Sequence, residues 1–197
     1  MSDDKEQSSS SNRRGEPARQ RVLDAAERLL RDGKAAFSMR DLAAEAGVSF
    51  ATPFNRFGSK AAIMHALSAR RIDTMTARFA ATRQPPDAAA RIALAIDIAV
   101  AVMLDAPTVN RAVMGWVGAG GVPGDVRARS TTLWARALDD GAGLAPSRRE
   151  EALRILPGQL ALAFRGALSF WTAGELGDAE LGPAAREIAD TLLLGFR

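Results

Sequence analysis

Apolar residues recur along this chain at intervals of three and four positions, without convincing alternation at every second position. The first spacing gathers apolar side chains on one face of an α-helix, whereas alternation gathers them on one face of a β-strand. Glycine and proline separate the periodic segments, as they commonly do at helix ends. The pattern therefore predicts an all-α protein.

Four helices are predicted before residue 83, each with a local start or stop signal. Pro17 suits the first position of a helix, and Ser38 suits an N-cap with Asp41 at the third position. Gly47 ends the second helix, and Ser49 is predicted to cap the third. These helices are predicted to span residues 17–32, 39–46, 50–57 and 60–82.

Further helices are predicted after the break at residues 84–86. They cover residues 87–105, a segment starting at 107, and residues 125–140, 147–173 and 178–196. Pro157 lies inside one of them and predicts a kink, because proline removes a backbone hydrogen bond. The glycine-rich segment 118–124 is predicted to be a plain loop, since Pro123 stands where a phosphate-binding Gly-x-Gly-x-x-Gly motif has its third glycine.

Length and composition indicate a chain with a real core and no membrane span. The chain has 197 residues, of which 47% are hydrophobic, and no stretch reaches the ~18 apolar residues that a spanning helix needs. The first residues are polar and serine-rich without an apolar signal segment, so they are expected to be disordered. The lack of cysteine excludes disulfides and thiolate chemistry and suits a cytoplasmic protein.

Charge is distributed unevenly between the two ends of the chain. Residues 13–83 carry a net charge of +7 and residues 84–197 a net charge of −2. A basic segment on a faintly acidic body is the electrostatic footprint of nucleic-acid binding, although a charged face is often only a solvated face. A motif is needed to decide between the two interpretations.

Two short helices joined by a glycine-containing turn inside the basic segment predict a helix-turn-helix. Ala43 and Ala46 are small enough for close helix approach, Gly47 can adopt the left-handed conformation of a sharp turn, and Val48 fills the angle. The third helix would then present its start to a DNA groove. We accordingly divide the chain into a disordered tail (1–16), a helix-turn-helix head (17–64) and a helical body (65–197).

The spacing of several residues in the head matches a known pattern. They are RVLDAAERLL at 21–30, Gly33, Ser38-Met39, Asp41-Leu42-Ala43, Ala46-Gly47-Val48-Ser49, Thr52, Phe54, Phe57 and Ser59-Lys60. With this spacing, residues 19–64 resemble the DNA-binding head of the TetR/AcrR family of bacterial repressors. Beyond residue 85 the resemblance is to a plan, namely a variable helical body with a ligand cavity, whose last two helices pack against those of a second subunit.

The resemblance implies roles for individual residues of the head. Residues 50–52 read bases, and Lys60 binds a phosphate. Phe54 stands where the family usually has a tyrosine, so it keeps the packing role without the phosphate contact. Arg56 either supplies a replacement backbone contact or is a surface charge, and Phe50 either contacts a thymine methyl or pads the head. The predicted DNA-binding set is Ser38, Arg40, Ser49, Phe50, Ala51, Thr52, Phe54, Asn55, Arg56 and Lys60.

Two residue sets are predicted in the body. Large side chains from its middle line an effector cavity or form an ordinary core: Met103, Met114, Trp116, Trp134, Phe164 and Arg165. Apolar residues of the last two helices form a homodimer interface: Leu160, Ala163, Ala167, Trp171, Ile188 and Leu192. Arg165 binds an anionic ligand, pairs across the dimer or occupies an exposed edge. Asp97 belongs to a solvent face, and His65 is interpreted as incidental.

Other functional classes are weighed against a DNA-binding regulator. The chain has one histidine, no cysteine and no tyrosine, and no cluster with metal-ligand spacing, so we predict no enzyme activity, metal or cofactor. The expected partners are a near-palindromic double-stranded DNA operator, a second copy of the chain and an unknown small-molecule effector, with no membrane. An architectural, nucleoid-associated DNA-binding protein without an effector is the alternative, and activation in place of repression remains open.

Overall fold

The computed structural model describes residues 3–119 and 124–197, so residues 120–123 of the predicted glycine-rich loop lie outside the described residues. Within these ranges every regular element is helical, which confirms the all-α prediction. The elements are α1 (Asp3–Arg31), α2 (Met39–Glu45), α3 (Ala51–Phe57), α4 (Lys60–Ala81), α5 (Ala88–Leu104), α6 (Pro107–Ala119), α7 (Val126–Leu138), a 3₁₀ turn (Pro146–Arg148), α8 (Arg149–Ala173) and α9 (Asp178–Leu194).

Helix α1 begins earlier than the sequence predicts. It starts at Asp3, so residues 3–16, expected to be disordered, extend the helix, and Pro17 lies inside it and not at its start. The expectation rested on the polar, serine-rich composition of that segment. A helix forms its backbone hydrogen bonds within itself, so a polar segment can extend one that packs elsewhere. From Glu16 onward, where the structure describes the side chains of α1, the buried residues lie between Val22 and Leu30.

The chain divides into two units, a head of residues 1–67 and a body of residues 68–197, and the dividing point falls within α4. The predicted boundary at residue 64 is three residues earlier, in the same helix. In the head, apolar side chains from α1, α2 and the first turns of α4 are buried: Val22, Leu23, Ala26, Leu30, Leu42, Ala43, Ile63, Met64 and Leu67.

Helix α2 owes its limits to two local signals that the sequence analysis identified. The Ser38 hydroxyl accepts a hydrogen bond from the Asp41 N–H at 3.2 Å, and the Asp41 carboxylate accepts one from the Ser38 N–H at 2.8 Å. This reciprocal capping box satisfies two amides at the helix start. Beyond the helix end, Gly47 adopts φ of 60°, where a side chain would be strained, and the chain turns toward α3.

In the body, residues of α4–α9 form one continuous apolar core that includes Trp134 and Trp171. Arg91 of α5 is also buried, because its guanidinium donates to the carbonyls of Ala137 and Leu138 at the end of α7, at 3.0 and 2.8 Å. Asp97 is exposed and pairs with Arg186 of α9, which agrees with the predicted solvent face. Pro157 lies within α8 and is buried.

Among the residues that the structure describes, no single helix is long and apolar enough to cross a membrane. Residues Ala88–Leu104 and Pro107–Val117 reach the required length and composition only as a pair, and that pair is bent by 101° at the break between them.

Candidate nucleic-acid interface and ligand cavity

Helix α3 starts two residues after the position at which the sequence predicts its cap. Ser49 is not the cap residue: Phe50 precedes the helix, already in a helical conformation, and no side chain caps the helix. The two hydroxyls of Ser49 and Thr52 instead lie 2.7 Å apart and share a hydrogen bond. That bond occupies the Ser49 side chain and holds the half-buried Thr52 at the start of α3.

The outer side of α3 carries two aromatic rings and a cation. Phe50 is 55% exposed and Phe54 45% exposed, and their ring centroids lie 5.8 Å apart in an edge-to-face arrangement. The Arg40 guanidinium lies 5.6 Å from the Phe50 ring centroid. Phe54 therefore packs on Phe50 at the surface of the head.

Small and polar side chains complete this outer surface. Ala51, Asn55 and Arg56 are exposed, and no described carboxylate pairs with Arg56. On the inner side of α3, Pro53 is buried and Phe57 is half-buried beneath the Arg19 guanidinium, 5.3 Å from the ring centroid. The helix thus has an apolar inner side and a polar and aromatic outer side.

Two residues of the predicted DNA-binding set use their side chains for hydrogen bonds within the head. The Ser38 hydroxyl donates to the Asp41 carboxylate at 2.8 Å as part of the capping box. The Lys60 ammonium donates to the carbonyls of Ala35 and Phe37 at 2.7 and 2.8 Å and lies 4.1 Å from the Phe37 ring centroid. Burial lowers the pKa of Lys60. Lys60 therefore fastens the α1–α2 loop to the start of α4, a role that the sequence analysis missed because its partners lie more than twenty residues away.

The body contains a cavity of about 270 Å³ lined by residues of α4–α8. It brings together five of the six predicted cavity residues: Met103, Met114, Trp134, Phe164 and Arg165. Trp116 does not line it and is 38% exposed instead, since it lies on the outer side of α6. The sequence analysis missed several polar residues of the wall, namely Ser68, Arg71, Asn110, Arg127 and Ser130.

The predicted dimer residues of α8 and α9 differ in exposure within the single chain. Leu160, Ala167 and Trp171 are buried, Ala163 and Leu192 are half-buried and Ile188 is exposed. The large apolar side chains that α8 and α9 expose are Leu162, Phe170, Ile188 and Leu194. A shallow groove beside them is lined by Ala163, Gly166, Phe170, Leu176, Ala184 and Ile188, among others.

The lone histidine is not among the residues that line the cavity. His65 of α4 has both ring nitrogens buried without a described hydrogen-bond partner. No group of three or more metal-ligating side chains occurs among the described residues.

Comparison with protein-family models assigns the head. Residues 22–67 match the model of bacterial regulatory proteins, tetR family. The head is therefore similar to the TetR-family domain. Proteins of the TetR family are DNA-binding transcription regulators and not enzymes, in agreement with the predicted class, and the matched segment contains α2, the turn and α3. No curated protein matches the chain.

Solved structures show that the likeness in fold continues through the body. A TetR transcriptional regulator from Rhodococcus sp. RHA1 superposes with a TM-score of 0.72 at 22% identity, over 91% of this chain and 98% of the other. A putative transcriptional regulator from Streptomyces coelicolor A3(2) gives 0.55 at 25% identity, over 90% and 95%. The TetR-family regulator PfmR from Thermus thermophilus gives 0.54 at 18% identity, over 90% and 96%. The chain therefore has a TetR-type fold along nearly its whole length.

Proposed function

We propose that this TetR-type chain is a homodimeric repressor that binds a near-palindromic operator and is released from it by a small molecule. The observation that carries the proposal is the outer side of α3, where Phe50, Ala51, Asn55 and Arg56 are exposed after the glycine-containing turn from α2. A helix held in this way can enter a major groove with its first residues toward the base edges.

The exposed side chains of α3 suit different parts of a DNA duplex. Asn55 can bond to adenine, Phe50 can contact a thymine methyl, and Arg56 can bond to a phosphate or to guanine. Thr52 and Ser49 share a hydrogen bond, so a base contact by either hydroxyl would have to be made alongside it. Two of the three N–H donors of Lys60 bond to the carbonyls of Ala35 and Phe37, and we therefore propose that Lys60 mainly holds the head together.

The apolar surface of α8 and α9 supports dimerisation. Phe170 and Ile188 are large and exposed and line one shallow groove, and exposed apolar surface of this kind is typical of an interface between subunits. Gly166 and Ala163 lie beside them and permit close helix approach. Two heads on one dimer would bind two half-sites, so an inverted repeat is the expected operator.

The cavity of the body supports control by a ligand. Its volume of about 270 Å³ is near the lower end of the roughly 300–1,000 Å³ that is usual for small-molecule sites. Its wall includes Ser68, Arg71, Ile72 and Met75 of α4, the helix that also provides Ile63 and Met64 to the head. A ligand that binds one conformation of the body better than another would shift the population of DNA-bound protein.

The test is selection of bound duplexes from a random DNA pool by the purified full chain. We expect an inverted repeat with half-site centres about 10 base pairs apart, or a multiple of that distance. Retention of DNA without a motif would favour the architectural alternative, and failure of the folded protein to retain any DNA would contradict the proposal.

Binding of variants to the selected operator then identifies the residues that contact DNA. Arg56→Ala should weaken binding and, if Arg56 contacts a phosphate, reduce the slope of log affinity against log salt by about one. Arg136→Ala is the matched control, because Arg136 is an exposed arginine of α7 in the body. Equal effects of the two substitutions would remove Arg56 from the interface.

A further inference from the structure

The cavity wall combines an apolar surface with positive charge. Its charged members are Arg71, Arg127 and Arg165, and no aspartate or glutamate is among its described lining residues. The remaining wall is mostly apolar, with Trp134 and Phe164 in edge-to-face contact at 5.6 Å between ring centroids. A cavity of this composition favours a ligand with an apolar body and a negative group.

Arg165 is the most informative of the three cations. Its guanidinium is half-buried, and its contacts are the Met114 sulfur at 3.3 Å and the Met114 carbonyl at 3.4 Å. A thioether is a weak acceptor and a guanidinium carries five N–H donors, so most of its bonding capacity has no acceptor among the described residues. Burial lowers the pKa of Arg165, as expected of a cation without a counterion.

Other arginines of the body have carboxylate partners for their guanidinium groups. Arg91 is more deeply buried, yet it donates to four carbonyl oxygens and pairs with Asp140 at 3.2 Å. Arg111 pairs with Asp178 at 2.7 Å, and Arg129 pairs with two aspartates. Arg165 has no described carboxylate in a comparable position. Partial burial of a cation without a carboxylate partner is unfavourable, and a perturbed charged group that lines a cavity is a candidate contact for a ligand.

Arg71 is held at the same wall by a buried amide. Asn110 donates to the carbonyls of Val102 and Met103 at 3.1 and 2.8 Å, and its oxygen accepts from the Arg71 Nε at 2.8 Å. Because the donor contacts fix the amide, its oxygen points to Arg71 and orients that side chain. The wall thus carries a second positive charge in a fixed place.

We propose that the cavity binds a small organic anion, a carboxylate on an aliphatic or aromatic body, with Arg165 as the group that contacts the carboxylate. The apolar body of the ligand lies against Trp134 and Phe164. Arg71, fixed by Asn110, adds positive charge. The inference rests on the proposed role of this cavity as the effector site and specifies the chemistry of the effector.

Isothermal titration calorimetry of the full chain with matched probes tests the ligand class. The probes are octanoate and 2-naphthoate, their neutral amides, and octylammonium. We expect at least one anion to bind once per chain, its amide to bind roughly tenfold more weakly or worse, and octylammonium not to bind. An amide that binds as tightly as its acid, or no binding by either anion, would overturn the proposal.

Substitutions at Arg165 assign the carboxylate contact. Arg165→Gln should reduce anion affinity roughly tenfold or more while leaving amide affinity unchanged, and Arg165→Lys should retain part of the preference because it keeps the charge. Arg154→Gln is the matched control, since Arg154 is an exposed arginine of the same helix outside the cavity. An anion preference that survives in a folded Arg165→Gln protein would exclude Arg165. If that variant does not fold, the acid-to-amide ratio of the unchanged protein and of Arg165→Lys still decides.

Release of the selected operator, measured separately, distinguishes the two proposals. An anion that binds in calorimetry but leaves DNA bound would contradict the effector function and leave the ligand class intact. Release by a neutral amide but not by its acid would contradict the ligand class and leave the effector function intact.

Discussion

Single side chains with two or more directed contacts determine the shape of the head. Lys60 bonds to two carbonyls of the α1–α2 loop, and Asp41 bonds to both the N–H and the hydroxyl of Ser38. Both are charged groups bonded to neutral ones, which gives stronger bonds than two neutral partners would. They hold the loop and the first turn of α2 in place ahead of the turn to α3.

The Ser38–Asp41 pair makes the head sensitive to acid. The backbone N–H and then the hydroxyl of Ser38 lower the pKa of Asp41 below the ordinary value of 3.8, so the folded head binds that proton less tightly than the unfolded chain. The stability contributed by Asp41 is therefore fully present above pH 3.8 and is lost as the pH falls through the lowered pKa. We expect the difference in unfolding free energy between the unchanged protein and Asp41→Asn to be constant near neutral pH and to shrink in acid.

Urea unfolding followed by circular dichroism at several pH values measures this difference. Asp24→Asn is the control, because Asp24 is an exposed aspartate of α1 outside the capping box. A difference that does not change down to the lowest pH at which the head folds would show that the ionised carboxylate contributes nothing to the cap.

At the scale of the element, sequence reasoning succeeded where signals are local. Ser38, Asp41 and Gly47 fix the limits of α2 from within a few residues, and they do so as predicted. The contacts of Lys60 depend on carbonyls far back in the chain, and no local pattern encodes them. The sequence showed that α8 is helical but not which side faces the core, because apolar residues occur on several of its sides.

Apolar residues of α8 lie on more than one side of the helix. Leu160, Ala167 and Trp171 face the core of the body, while Leu162 and Phe170 are exposed. Periodicity identifies an apolar stripe but does not distinguish a core from an interface when both are present. The predicted set therefore stays a prediction, and its members differ in how far a single chain exposes them.

Phe170 provides the test of this surface. Its ring is 57% exposed, so Phe170→Glu should leave the fold intact while placing a charge in the proposed subunit contact. We expect sedimentation equilibrium to show a dimer for the unchanged protein and a monomer, or a dimer at least roughly tenfold weaker, for the variant. Thr132→Glu, an exposed substitution on α7, is the control. A variant that remains a dimer of unchanged affinity would exclude this face.

For the whole molecule, dimerisation and operator recognition are linked quantities. A dimer that engages two half-sites gains avidity because the second head binds at a high effective concentration. We therefore expect Phe170→Glu to bind the full inverted repeat hardly better than a single half-site, while the unchanged protein prefers the full repeat strongly. Fluorescence anisotropy with both duplexes measures the two ratios. A strong preference retained by a monomeric variant would contradict the linkage.

The cavity is a property of the whole body, because five helices contribute residues to its wall. Residue types in the middle of the body predicted five of its members, yet the polar wall residues Ser68 and Asn110 were not identified. These two residues line the cavity only because helices that are distant in sequence meet there. Composition indicates which side chains suit a cavity, and only packing indicates which of them share one.

Lys60 also has a practical consequence that follows from where lysine occurs. The chain has lysine at positions 5, 34 and 60 and nowhere in residues 68–197. A lysine-specific protease can therefore cut only in the head, and its last cleavage point, the bond after Lys60, lies in the first turn of a helix. Limited digestion would release residues 61–197 at a rate governed by transient opening of that turn. The rate of cleavage after Lys60 therefore reports on local unfolding of the head, and mass spectrometry can follow it without any label.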